Sequence, residues 1–272
     1  MRRIGLIAGG GRLPVRIVDA CRKAGHQVVT VAIENHADDI LPQADLVVRM
    51  GAAGRIIDFF REAGVDELVM AGPVRRPSLA EIRPDGWGAR FLFRSGAAML
   101  GDDGLLSAIS KELEKEGFRV IGADELLGDA LAGEGLIAGE EPDSAARADI
   151  TRGIGVLAAI APVDVGQAVV VQSGLVLGVE AVEGTDELIR RTAGLRRDGP
   201  PPVLVKAPKP QQDRRLDLPT VGATTVRALV AHGFAGLAIE AGGVMLMERD
   251  EVMREIEQNG MFLYAFPPPA ET

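Results

Sequence analysis

Ile4-Gly-Leu-Ile-Ala8-Gly9-Gly10-Gly11-Arg-Leu13-Pro14-Val-Arg-Ile-Val-Asp-Ala-Cys21-Arg-Lys-Ala24 decides the fold of the first half of this chain. A short apolar run stops at three glycines. From Leu13 the apolar positions recur every three or four residues, so the segment reads as strand, tight turn and helix. Pro14 suits a first helical turn, where a missing N–H costs no bond. Working outward, Val28–Ile33, Asp45–Met50, Glu67–Ala71 and Phe118–Gly122 are further strand-like runs. Gly54–Ala63 is amphipathic, and Asp103–Glu116 lines up Leu105, Leu106, Ile109 and Leu113 before Gly117. Strands alternating with helices predict an α/β domain with a mostly parallel sheet covered on both faces.

Gly and Ala crowd the stretch from Gly128 to Gly139, which reads as a junction between a domain at 1–132 and a second at 133–272. Beyond it comes a helix from Ser144 to Ile160, then Ala168–Gln172 and Leu175–Glu180 across a Ser173-Gly174 turn, a hairpin signature. Thr185–Leu195 reads as a helix, Val203–Ala207 as a strand and Thr220–His232 as a helix. Strands near Leu237–Ile239 and Val244–Met247, a helix at Glu251–Gln258 and a strand at Phe262–Phe266 complete a distinct, mixed α/β carboxyl-terminal domain.

At 272 residues, 47% of them apolar and 25% charged, the chain is long enough for one large or two ordinary domains with real cores. A net charge of −9 and 4% aromatics argue against a nucleic-acid binder, which needs cations for phosphates and rings for stacking. The single cysteine, Cys21, excludes an internal disulfide and fits a reducing compartment. The apolar run at the start is too short for a signal peptide, and no stretch approaches a membrane span. A cytoplasmic protein is expected, with contact at a membrane surface left open.

Several segments carry chemistry. Glycines 9–11 before a helix let a ligand approach backbone N–H groups, and Glu34 at the end of the second strand stands where an acid holds a ribose hydroxyl. Gly-x-Gly-x-x-Gly is not matched, which disfavours a nicotinamide oxidoreductase; a tight turn without ligand is the plainer alternative. Arg75 and Arg76 follow the fourth strand at the sheet edge where α/β ligands bind, and suit a pyrophosphate or a solvated turn. Asp102 and Asp103 either cap the Leu105 helix or orient a ligand. Thr185 and Asp186 suit a helix start, whereas Glu180 and Glu183 are not explained by capping and are candidate ligands for a hard cation. Lys206-Ala-Pro-Lys209-Pro-Gln-Gln-Asp-Arg214-Arg215-Leu-Asp217-Leu-Pro-Thr220-Val-Gly222 sets four cations around carboxylates on a proline-stiffened segment, a pattern suited to phosphate chemistry. Its plainer alternative is a solvated surface loop.

Taken in order, Gly5–Pro14, Ala71–Pro77, Gly101–Leu106, Val179–Asp186 and Lys206–Gly222 resemble the bacterial UDP-2,3-diacylglucosamine pyrophosphatase family of the lipid A pathway, of the α/β type and not the metallophosphoesterase type. The resemblance spans nearly the whole chain. It implies a Rossmann-like amino-terminal domain and a separate carboxyl-terminal domain with substrate held between them. It also implies Mg²⁺-dependent cleavage of UDP-2,3-diacylglucosamine to UMP and 2,3-diacylglucosamine 1-phosphate, with water attacking the sugar-side phosphorus. The essential aspartate of the family's Asp-Leu-Pro-Thr motif falls on Asp217, expected to bind Mg²⁺ or activate the water, with Glu180 and Glu183 as further metal candidates. Lys206, Lys209, Arg214 and Arg215 are expected at phosphates, and Gly10, Gly11 and Leu13 on the uridine side. Arg75, Arg76, Asp102, Asp103, Thr185, Asp186 and Thr220 complete the expected substrate contacts. An apolar trough for the acyl chains is sought among Leu229, Val230, Leu237, Ile239, Val244 and Leu246. Transient membrane contact and a homodimer are the expected associations. A non-catalytic nucleotide-sugar binder and an oxidoreductase are the rival classes.

Overall fold

Two compact units divide the chain in this computed structural model: Met1–Gly128 with Asp213–Asp217, and Asp129–Gln212 with Leu218–Thr272. The described residues are 1–75, 83–95, 102–128, 130–210 and 212–269, without the side chains of 102 and 103.

The first unit runs β1 (Arg3–Ala8), α1 (Leu13–Lys23), β2 (Gln27–Ile33), β3 (Leu46–Val48), α2 (Ala53–Glu62), β4 (Glu67–Ala71), α3 (Gly86–Ser95), α4 (Asp102–Lys115), β5 (Arg119–Val120) and α5 (Asp124–Leu127). Its five strands pair in the order β3-β2-β1-β4-β5, all parallel, as the alternating pattern predicts. This is the Rossmann-like arrangement, whose strand order reverses between β1 and β4. Pro14, Ile17, Val18 and Cys21 form the buried stripe of α1 at the three-to-four spacing. Phe60, Ile57, Leu68 and Val31 centre the core on another sheet face, closed by Leu113, Phe118 and Val120. Leu216, far along the sequence, is 8% exposed and belongs to this same core. Asp85 ties two helix starts together: its carboxylate accepts from Gly54 N at 2.7 Å and from Gly88 N at 2.8 Å. Both N–H groups lie in first turns of α2 and α3, where intrahelical acceptors are missing.

The second unit contains β6 (Gly135–Gly139), α6 (Ser144–Ile160), β7 (Ala168–Gln172), β8 (Leu175–Val179), α7 (Thr185–Ala193), β9 (Val203–Lys206), β10 (Thr220–Val221), α8 (Ala223–Ala231), β11 (Gly236–Glu240), β12 (Met245–Leu246), α9 (Arg249–Gln258) and β13 (Phe262–Phe266). Six strands form a mixed sheet in the order β6-β13-β11-β9-β7-β8. β9, β11 and β13 run parallel, while β6, β7 and β8 are paired antiparallel. Side chains alternate between two cores, as strand geometry requires. Val169, Val171, Val203 and Val205 pack on α6 through Ile150 and Leu157. Ala168, Val170, Leu204, Leu237 and Ile239 pack on Leu188, Val226, Leu229 and Val252 of α7, α8 and α9. The hairpin turn has positive φ at Ser173 and Gly174, and buried Asp149 accepts from both of their N–H groups at 2.9 and 2.6 Å.

Three sequence expectations change here. Thr220–Val221 is not the start of a helix but a short strand paired with Met245–Leu246, and α8 begins only after extended Gly222. Gly135–Gly139 is not only junction but the edge strand β6 beside β13. Leu229, Leu237, Ile239, Val244 and Leu246 form no trough: all five are fully buried core, and Val230 packs against them.

Candidate active site

The first unit offers the turn after β1. Gly9 N donates to Ala71 O at 2.8 Å and Gly10 N to Pro73 O at 2.9 Å, so this loop is bonded to the loop after β4. A Cβ on Gly9 would stand 2.4 Å from Gly72 O, and one on Gly10 would stand 2.8 Å from His36 O. Main chain meets main chain here, which only glycine permits. Gly11 differs. Its φ is +73°, and the nearest atom to a Cβ would be Pro73 Cδ at 4.0 Å, so the space beside it is open. Leu13 opens α1 behind Arg12, which provides no side-chain cap. Glu34 is exposed just past β2. Arg75 is exposed at the end of the described part of its loop. Arg76 and the side chains of Asp102 and Asp103 lie outside the described residues.

Asp213–Asp217 also belongs to the first unit. Arg215, expected at a phosphate, is committed to partners within its own unit. Its Nε and Nη2 donate to Asp213 at 3.0 and 2.7 Å, and its Nη1 reaches Glu114 at 2.7 Å and Val120 O at 3.3 Å. Those hydrogen bonds hold the Asp213 carboxyl below the usual carboxylate range against an opposing desolvation, and raise Arg215 further above its own. Arg215 is therefore a strut, and Arg214 and Asp217 of the same segment are exposed.

In the second unit, three strands deliver polar residues to one sheet edge. Ala168 pairs with Lys206, and Glu180 N donates to Ala168 O at 2.8 Å, so Gln167, Glu180 and Lys206 lie together. Lys206 is 7% exposed and Glu180 is 8% exposed. A buried charge needs partners, and these residues supply one another. Lys206 Nζ donates to Thr185 Oγ1 at 2.7 Å, Thr185 Oγ1 donates to Glu180 Oε1 at 2.6 Å, and Gln167 N donates to Glu180 Oε2 at 2.9 Å. Thr185, expected as a helix cap, is instead the first residue of α7 behind Gly184, and its hydroxyl serves this chain of bonds. Asp186 accepts from Thr225 at 3.1 Å.

The loop after β9 is tethered nearby. Lys209 pairs with Asp164, itself left-handed at φ 57°, and buried Gln212 accepts from Gln167 Nε2 at 2.9 Å and Lys209 N at 3.3 Å. Thr220 sits half-buried in β10. Glu240, 4% exposed at the end of β11, crowds Gly243, where a Cβ would lie 2.6 Å from its Oε1. Sequence reading missed Glu240, although the cue that singled out Glu180, an acid ending an apolar strand, applies equally. Asp164, Gln167, Gln212 and Asp213 carried no such cue.

The acids do not fit a hard-cation site as drawn from sequence. Both Glu180 oxygens accept hydrogen bonds, and Glu183 accepts from Arg191 at 3.0 Å. Its own backbone N–H and Arg191 hold Glu183 below the usual range. Among the described residues there is no group of three or more His, Cys, Asp or Glu arranged to hold a metal. Mg²⁺ demands several oxygens in near-octahedral order, and no such group stands among the described residues.

Comparison with known proteins agrees along the whole length. Residues 3–130 match the LpxI N-terminal domain and residues 133–264 the LpxI C-terminal domain. The chain is 39% identical to UDP-2,3-diacylglucosamine pyrophosphatase LpxI of Caulobacter vibrioides, over 98% of this chain and 99% of that one. Among solved structures, CobK precorrin-6A reductase aligns over 100% of this chain and 90% of its own at 11% identity and a TM-score of 0.34. A biotin carboxylase domain of a thermophilic 2-oxoglutarate carboxylase covers 47% of this chain and 25% of its own at 19% identity and a TM-score of 0.25. Both scores are too low to indicate a shared fold.

Proposed function

The chain belongs to the LpxI family, and from that premise we propose that it hydrolyses the pyrophosphate of UDP-2,3-diacylglucosamine to UMP and 2,3-diacylglucosamine 1-phosphate. The end-to-end likeness to the Caulobacter pyrophosphatase carries this reading. The chemistry of the residues supports it. One water adds to the sugar-side phosphorus, the bond to the bridging oxygen breaks, and UMP leaves with that oxygen. The reaction builds negative charge on phosphoryl oxygens, and fixed cations stabilise that charge best where water is scarce. Lys206 is such a cation, an ammonium almost wholly removed from solvent at a strand end. Lys209, held by Asp164, supplies a second charge. Asp217, exposed and in the family's motif, takes the proton from the attacking water.

Alongside this we propose a requirement for Mg²⁺ whose ligands are not Glu180 and Glu183. The cation would neutralise phosphate charge; the roles given to Lys206, Lys209 and Asp217 stand on those side chains alone. A lipid substrate also entails transient contact with a membrane surface from the cytoplasmic side. Among the described residues no helix is long and apolar enough to cross one. Purified protein incubated with UDP-2,3-diacylglucosamine, with Mg²⁺ or with a chelator, tests the reading. UMP release that the chelator stops is the expected result. Tight binding of the UDP-sugar with no UMP would instead make this a sensor of nucleotide sugars.

A further inference from the structure

Glu180, Thr185 and Lys206 form a directional chain of hydrogen bonds whose protons have one arrangement. An ammonium only donates and an ionised carboxylate only accepts, so the single hydroxyl proton of Thr185 must point at Glu180. The hydroxyl oxygen is then turned toward Lys206, which donates to it at 2.7 Å. Glu180 cannot swing away, because Gln167 N occupies its second oxygen at 2.9 Å. Its backbone is fixed as well: Glu180 N is bonded to Ala168 O, and the Glu180 carbonyl oxygen would lie 1.9 Å from a Cβ on Gly166. Thr185 is equally constrained as the first residue of α7.

We infer that Glu180 is a positioning residue, which acts through Thr185 to fix the aim of the Lys206 ammonium. This assigns Glu180 a role other than metal ligation, and it rests on the hydrolase reading for its kinetic consequence. The carboxylate is also a buried counter-charge linked to the Lys206 ammonium through one hydroxyl. The intervening hydroxyl transmits orientation from the carboxylate to the ammonium. Glu180→Gln preserves volume but replaces one acceptor oxygen with an NH₂ donor, so the side chain can no longer accept from both Thr185 and Gln167 N and the chain of bonds loses its single direction.

Three variants test the assignment: Glu180→Gln, Thr185→Val and Thr185→Ser. The first two should lower kcat by about ten-fold or more with little change in KM, whereas Thr185→Ser, which restores a hydroxyl, should recover to within about three-fold of wild type. The double variant Glu180→Gln/Thr185→Val should be no slower than the worse single one, because both break one chain. Multiplied effects, or full activity in Thr185→Val, would overturn the proposal. A second readout needs no substrate: trace acetylation with acetic anhydride followed by peptide mass spectrometry. Lys206 should label at least about three times faster in Thr185→Val and Glu180→Gln than in wild type or Thr185→Ser, since it loses a charge-assisted partner. Equal labelling in all four proteins also sinks the assignment. If wild type releases no UMP yet the labelling differs as stated, the positioning role stands and the hydrolase reading falls.

Discussion

A Cβ on Gly72 would lie 2.3 Å from the carbonyl oxygen of Gly10, so the loops that follow β1 and β4 touch through bare main chain. The contact sits at the carboxyl edge of the first sheet, where the strand order reverses. Gly72 also has φ +89°, a region that side chains avoid. Gly72→Ala combines a backbone clash with a strained torsion and should cost about 3 kcal/mol or more. Gly11→Ala, strained at φ +73° but unobstructed, should cost about 1 kcal/mol. Urea unfolding of the two variants measures the contrast. Equal losses would mean that the loops separate easily.

The Asp213–Arg215 pair predicts a pH dependence. Arg215 holds the folded Asp213 below its unfolded pKa, so the contribution is present above the unfolded value and fades as pH falls through the folded one. Both side chains are partly exposed, at 42% for Arg215 and 26% for Asp213, which limits the gain to about 1 kcal/mol at neutral pH. The gap in urea midpoint between wild type and Asp213→Asn should be open at pH 7 and narrow below about pH 4. A gap that stays constant to strong acid would assign Asp213 to turn geometry alone.

Leu216 tests how firmly its segment belongs to the first unit. It lies in one core with Phe60, Leu113 and Phe118. Leu216→Ala should cost about 2–4 kcal/mol by the loss of buried methylenes and the cavity left behind. Differential scanning calorimetry reads it, and a change under about 0.5 kcal/mol, the range of a surface position, would remove the residue from the core.

Asp217→Asn keeps shape and removes charge. UMP release should fall by about 100-fold or more, the usual contribution of a positioned base, while the melting temperature stays near wild type because the side chain is exposed. Activity within a few-fold of wild type would dismiss Asp217 from the reaction.

Much of the fold was legible because strand and helix periods are local. Ile4–Ala8, Ser144–Ile160 and Phe262–Phe266 read correctly from spacing alone. What failed depended on distant partners. Gly135–Gly139 is strand only because β13 offers an edge, and Thr220–Val221 is strand only because Met245–Leu246 lies alongside. The site was legible as a set of residue types more than as a set of roles. Glu180 stood out as an acid at a strand end, but sequence spacing favoured a cation, whereas the folded chain gives it Thr185 and Gln167 N. Arg215 looked identical to Arg214 until Asp213 and Glu114 claimed it.

Because Asp213–Asp217 returns to the first unit, the polypeptide passes from one unit to the other at three peptide bonds and not at one. A fragment truncated at residue 128 would be missing an internal plug, Leu216, and the Arg215 brace on Glu114. Chimeras exchanging halves between relatives must therefore be spliced at all three crossings, with the short insert travelling alongside its host half.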